Sequence, residues 1–132
     1  MTLITFSYKQ TSGAGGNPLV ARVKTGLERQ GIKVEMRHGS ANGKFVHVDC
    51  TQAKGTHSAN YQEWFLYWKD MAETSDLVVL FDSEDQGYFQ SDGCQMEERY
   101  AKAHCKYCSM GKYIDQGEDA EQIAERIFNK LK

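Results

Sequence analysis

Proline is nearly missing from this chain: Pro18 is its single representative in 132 residues. With glycine at 12, that composition excludes collagen-like and proline-rich low-complexity chains. Charge of either sign is not in surplus. Lys and Arg total 16 against 18 Asp and Glu, a formal net charge of -2, so the basic footprint of a nucleic-acid binder is lacking and no nucleic-acid partner is expected. No apolar run approaches the ~20 residues of a membrane-spanning helix. The opening "MTLITFSYKQ" has neither the charged start nor the small-residue cleavage site of a signal peptide, so a cytoplasmic location without a membrane partner is expected.

Cysteine is sparse: Cys50, Cys94, Cys105 and Cys108 are expected to be free thiols, given no export signal. Cys105 and Cys108 form one CxxC, but a zinc site needs four ligands. The only other candidates, Cys50 and His57, fit no zinc spacing, so no metal and no bound cofactor is expected.

What is present suits one globular domain over residues 1–132. Hydrophobic residues make up 40%, and a chain of this length buries roughly two thirds of its unfolded surface in a single core. "TLITFSY" (Thr2 to Tyr8) is a strand, rich in β-branched and aromatic residues. Asn17 before Pro18 is an N-cap and first helical position. Leu19, Val20, Val23 and Leu27 recur at helical spacing, and Gly31 stops a helix of about 18–30. "IKVEMRH" (Ile32 to His38) alternates as a strand, and "FVHVD" is a short strand or an extended loop. Asn60 and Glu63 form a capping box for a helix whose Tyr61, Trp64, Phe65, Trp68, Met71 and Ala72 trace a core-facing stripe. "DLVVLFD" (Asp76 to Asp82) has the apolar run of a central parallel strand. Asp92 and Gln95 are expected to cap a helix to about Ala103, "CKYCSM" is a possible strand, and "DAEQIAERIFNKLK" closes the chain as a helix with Ile123, Ala124, Ile127, Phe128 and Leu131 inward. This alternation implies an α/β fold, a parallel sheet with helices on both faces. Ligands in such folds sit outside the carboxyl ends of the strands, here just after Tyr8, His38 and Asp82.

Two stretches there invite chemistry. The loop around Gly13–Gly16 precedes a helix and could cradle a phosphate, although it is neither GxGxxG nor a P-loop and is equally a flexible turn. The stretch "FDSEDQGYFQSDGCQMEERY" (Phe81 to Tyr100) follows the apolar strand and enters a helix. Glu97 projects toward the mouth of the sheet, while Glu98 is rotated by ~100°. With Tyr8, Tyr88 and Phe89 excluding water, Glu97 is suited to act as acid, base or stabiliser of a developing cation. The plain alternative is a carboxylate that favours the positive end of its helix.

"TFSYKQ" resembles the first box of Toll/interleukin-1 receptor (TIR) domains, and "LVVLFDSEDQGYFQSDGCQMEERYAKA" resembles their later serine, cysteine and glutamate segment, here Ser91, Cys94 and Glu97. The chain departs from the family at Gly93, where tryptophan is usual, and does not align over Gly39 to Ser58. The resemblance implies a single TIR-like domain with a flavodoxin-like three-layer sandwich, a mostly parallel sheet of four to five strands and helices on both faces. It also implies an NAD glycohydrolase that cleaves the nicotinamide–ribose bond to give ADP-ribose or a cyclic form. Glu97 would be the catalytic carboxylate, and Ser7, Tyr8, Lys9, Ser83, Tyr88 and Phe89 would bind substrate. NAD or a related nucleotide is then the substrate, and the domain associates with its own kind. A non-catalytic interaction module of the same family and a nucleoside deoxyribosyltransferase-like enzyme stand as alternatives.

Overall fold

The structure is a computed structural model that describes residues 2–9, 17–31, 34–37, 40–41, 44–45, 65–66 and 68–132. Along the chain run β1 (Thr2–Ser7), α1 (Pro18–Arg29), β2 (Val34–Arg37), β3 (Ser40–Ala41), β4 (Lys44–Phe45), α2 (described at 65–66 and 68–73) and β5 (Leu77–Leu80). A single 3₁₀ turn (Tyr88–Gln90) then leads into α3 (Asp92–His104), β6 (Tyr107–Ser109), α4 (Gly111–Asp115) and α5 (Ala120–Leu131). Among the described residues no helix is long and apolar enough to cross a membrane.

The fold is α/β, with four parallel strands in the order β2-β1-β5-β6. In chain order these are the second, first, third and fourth parallel strands, which is the flavodoxin-like sequence of strands. The order reverses between β1 and β5, where Ile4 pairs with Leu77 and Ser7 with Leu80. That seam is the topological switch point, and folds of this kind place their ligands outside its carboxyl end.

Local chemistry sets the elements. The Asn17 side chain accepts from the backbone N–H of Leu19 at 3.0 Å and of Val20 at 3.3 Å, a cap worth about 1 kcal/mol, and Pro18 sits at N1 where its missing N–H costs nothing. Gly31 takes φ 81° past the end of α1, as a residue without Cβ readily does. α5 begins with a capping box between Asp119 and Gln122.

Two cores flank the sheet. On one face Ile4, Phe6, Leu77 and Val79 meet Val20, Val23 and Leu27 of α1 and Ile123, Ala124 and Ile127 of α5. On the other, Val78 and Leu80 meet Trp68, Met71 and Ala72 of α2 and Ala101 of α3. Each fully buried aliphatic side chain contributes about 1.5–3 kcal/mol. Trp68 is fully buried, and its Nε1–H donates to the Phe6 carbonyl at 3.0 Å, so the described part of the expected stripe, Phe65, Trp68, Met71 and Ala72, is packing.

Four sequence expectations are revised or left aside. Ser91, and not Asp92, caps α3: its hydroxyl accepts from Cys94 N–H at 3.1 Å, and Asp92 is the first helical residue. The five-residue α4 was not foreseen, because one and a half turns beginning at a glycine show no apolar period. β3 and β4 pair as a small antiparallel ladder across "GSANGK", for which the sequence reading assigns no element, and the first residue of "FVHVD", read as a short strand or an extended loop; the Asn42-Gly43 dipeptide between them is the sequence signal for a hairpin. Tyr61, Trp64 and the Asn60–Glu63 cap lie outside the described residues.

Two glycines are demanded by close approach. A Cβ on Gly26 would lie 2.7 Å from that of Ala124, so the α1 backbone packs directly against the Ala124 methyl of α5. A Cβ on Gly111 would fall inside the Asp82 carbonyl group, and the Gly111 N–H also donates to Asp82 Oδ1 at 3.0 Å. Gly111→Ala is therefore expected to destabilise the protein by about 3 kcal/mol. Gly26→Ala should cost about 1–2 kcal/mol, since better helix propensity offsets part of the clash. Urea unfolding of both variants checks the order; equal losses would contradict it.

Candidate functional site

The two-residue period of β1 divides its side chains between the cores. Ile4, Phe6 and Tyr8 face α1 and α5, whereas Thr5 and Ser7 face α2 and α3. Ser7 is the last residue of the strand, fully buried, and its hydroxyl points at α3. Beyond β5 the backbone stays against β1, with Phe81 N–H donating to the Ser7 carbonyl at 2.9 Å, before it turns through residues 83–90.

Asp115 of α4 holds that turn. The Ser83 hydroxyl donates to its Oδ1 at 2.6 Å, and the backbone N–H groups of Asp85 and Glu84 donate at 3.2 and 3.3 Å. Burial works upward on the Asp115 carboxyl, but these three donors outweigh it and keep the group below its usual range. So fixed, the turn delivers Tyr88, fully buried, with its hydroxyl 2.7 Å from Ser7 Oγ and donating to the Cys94 carbonyl at 2.9 Å.

Glu97 completes the cluster from the second turn of α3. Its side chain is 1% exposed, and Ser7 Oγ donates to its Oε1 at 2.7 Å. An acid so deeply placed costs several kcal/mol unless hydrogen bonds compensate, and Ser7 supplies one from the tip of the opening strand. Burial, reinforced by Cys94 and Glu97, pushes the Tyr88 hydroxyl well above its ordinary range, so it stays protonated in the folded protein. Glu98, one residue on, pairs instead with Lys102 at 3.1 Å. The result is a desolvated carboxyl group at the switch point, able to serve as nucleophile, base or counter-charge.

Of the residues singled out by sequence, Ser7, Tyr88 and Glu97 come together. Tyr8 does not: it is buried on the opposite face of β1, edge-on to Phe81 with ring centroids 6.5 Å apart. The expectation that Tyr8 dries the acid is thus corrected by strand alternation. Phe89 is 43% exposed and edge-on to Tyr88 at 5.5 Å. Lys9 reaches Gln90 Oε1 at 3.3 Å, and Ser83 serves Asp115. Gly93 is buried in the first turn of α3. The Gly13–Gly16 loop, Cys50, His57 and most of Gly39–Ser58 lie outside the described residues. Among the described residues no three His, Cys, Asp or Glu side chains converge as metal ligands.

Sequence reasoning missed Asp115 and the Cys94 carbonyl. The first lies on the unforeseen α4, and the second is a backbone atom that no side-chain pattern announces. Two clefts lie elsewhere among the described residues. One of about 440 Å³ separates α1 from the start of α5, and one of about 630 Å³ runs beside β6 and is lined by Lys112, Arg126 and Lys130. Neither is lined by the buried acid, so size alone does not locate the chemistry.

No family model and no curated protein matches the chain. Among solved structures, a YwlE mutant from Bacillus subtilis is similar over 99% of this chain and 93% of that one. At 18% identity and a TM-score of 0.36, that likeness carries no argument about what this protein does.

The buried hydroxyl sets an alkaline limit on stability. Below the ordinary tyrosine value of 10.0 both folded and unfolded chains keep the proton. Above it the unfolded chain releases the proton first, so stability falls as pH rises. Burial also pushes the Cys108 thiol up to about 12 from an ordinary 9.0, which starts the same loss earlier. Unfolding midpoints measured between about pH 8 and pH 11 should therefore fall, and Tyr88→Phe should flatten the part above about pH 10. An unchanged slope in Tyr88→Phe would show that the hydroxyl is not buried as described.

Proposed function

We propose that this protein cleaves an N-glycosidic bond, with Glu97 acting at the ribosyl anomeric carbon and NAD+ as substrate, as the resemblance to NAD-cleaving TIR domains suggests. The observation that carries the reading is the burial of the Glu97 carboxyl at the switch point, aligned by Ser7. Glycosidic cleavage passes through an oxocarbenium-like state, and a carboxylate in a water-poor site stabilises that positive charge far better than one in water.

The leaving group fits as well. When the C–N bond of NAD+ breaks, the electron pair goes to the pyridinium nitrogen and nicotinamide departs neutral, so it needs no proton. The hydroxyls beside Glu97, those of Ser7 and Tyr88, are poor acids at neutral pH, and Tyr88 is driven further in that direction. Water adding to the anomeric carbon and losing a proton gives ADP-ribose; attack by the adenine of the same molecule gives a cyclic product. Cytoplasmic placement and assembly of copies through TIR-type contacts belong to the same reading.

One observation favours a second reading. A single carboxyl, fixed by a short hydrogen bond, also suits a nucleophile that forms a ribosyl-enzyme ester and passes the sugar to another base. That is the deoxyribosyltransferase alternative.

Purified protein, assayed over a wide concentration range, should release nicotinamide from NAD+. Glu97→Ala and Glu97→Gln should lower the rate by about a thousandfold or more while remaining folded. Glu97-dependent exchange between a deoxynucleoside and a free base, without nicotinamide release, would transfer the assignment to the second reading. Inactivity on both substrates at every concentration would leave a non-catalytic interaction module.

A further inference from the structure

A hydrogen inventory of the buried cluster assigns Ser7 and Tyr88 a task distinct from substrate contact. Three hydrogen-bonding contacts run in a chain: Ser7 Oγ to Glu97 Oε1 at 2.7 Å, Ser7 Oγ to Tyr88 Oη at 2.7 Å, and Tyr88 Oη to the Cys94 carbonyl at 2.9 Å. Serine and tyrosine carry one hydroxyl hydrogen each, and a carbonyl oxygen only accepts. With Glu97 ionised, the Ser7 hydrogen is committed to the carboxylate. The Tyr88 hydrogen must then serve both Ser7 Oγ and the Cys94 carbonyl. A proton added to Glu97 supplies the missing hydrogen, and the chain can run in one direction: Glu97 to Ser7, Ser7 to Tyr88, Tyr88 to Cys94.

We propose that Ser7 is a positioning residue whose rotating hydroxyl couples the charge of Glu97 to Tyr88 and, through it, to the first turn of α3. In the ionised state Ser7 aims and stabilises the carboxylate. On protonation it turns away and the carboxyl becomes a donor.

Three features support the coupling. Ser7 and Tyr88 are both fully buried, so water does not complete the chain from outside. Cys94, whose carbonyl ends the chain, is itself bound through its N–H to the Ser91 cap, which ties the chain to the helix start. Tyr88 keeps its hydrogen throughout because burial raises its ionisation. Among the described residues, the titratable groups that face the cluster beside Glu97 are Tyr88 from the 3₁₀ turn, and Cys94 and Glu98 from α3, the last paired with Lys102. β1 contributes the Ser7 hydroxyl itself.

The activity arm of the test rests on the reading of Glu97 as the reacting carboxylate; the spectroscopic arm does not. In protein labelled with carbon-13 at glutamate side chains, the Glu97 carboxyl signal, assigned with Glu97→Gln, is followed against pH. Ser7→Ala removes a donor to the charged form, so Glu97 should titrate at higher pH than in the unsubstituted protein. Tyr88→Phe removes the acceptor that Ser7 uses when Glu97 is protonated, so it should move the titration the other way, to lower pH. The double variant should lie closer to Ser7→Ala alone than to the sum of the two shifts, because Ser7 is the hydrogen-bonded link between Tyr88 and Glu97. If the enzyme reading holds, Ser7→Ala should lower kcat about 10- to 100-fold with little change in KM, and the acid limb of the rate profile should move with the signal. Should Ser7→Ala fail to fold, Tyr88→Phe still tests the chain by its displacement of the Glu97 signal. Additive shifts, or a Glu97 titration untouched by either substitution, would overturn the coupling. Shifts as described in a protein inactive on NAD+ and on deoxynucleosides would retain it and remove only the enzyme reading.

Discussion

Burying an ionisable side chain where a parallel sheet reverses its strand order is the constraint on which this structure turns. Glu97 reaches that place only because α3 starts at a defined residue, and α3 starts there because Ser91 caps it. The acid is tolerated because β1 ends on a hydroxyl that faces the same side. Shifting the register of β1 by one residue would replace Ser7 with a tyrosine or phenylalanine ring and leave the carboxyl without that donor.

The surrounding scaffold keeps those two elements in register. α1 and α5, in contact through Gly26 and Ala124, pack against one face of the sheet. α4 meets the end of β5 at Gly111 and reaches back with Asp115 to hold the turn that carries Ser83 and Tyr88. A buried polar cluster of this kind gains from completeness: each satisfied hydrogen bond adds about 1 kcal/mol, and each one lost exposes the cost of desolvation. On the proposed reading, the same dryness that makes Glu97 expensive would strengthen its pull on a developing cation.

Much of this was legible in the residues themselves. Asn17-Pro18, the apolar run at Leu77 to Phe81 and the final amphipathic helix each carry a local signal strong enough to survive folding unchanged. Glu97 was legible from its place after a central strand. Tyr8 was misjudged because proximity in sequence to Ser7 suggests proximity in space, whereas adjacent strand residues face opposite ways. Ser91 and Asp92 both suit an N-cap, and only geometry separates them. Asp115 and the Cys94 carbonyl act through tertiary contacts, 32 residues from Ser83 in the first case, for which no local pattern exists.

The claim that Glu97 faces the reacting bond is tested most directly by a crystal structure of Glu97→Gln with intact NAD+. Residue 97 is predicted to lie about 3–3.5 Å from the anomeric carbon of the nicotinamide ribose, with the ring over the carboxyl ends of β1 and β5. Nucleotide seated in the cleft between α1 and α5, or beside β6, with residue 97 still sealed by Ser7 and Tyr88, would contradict it.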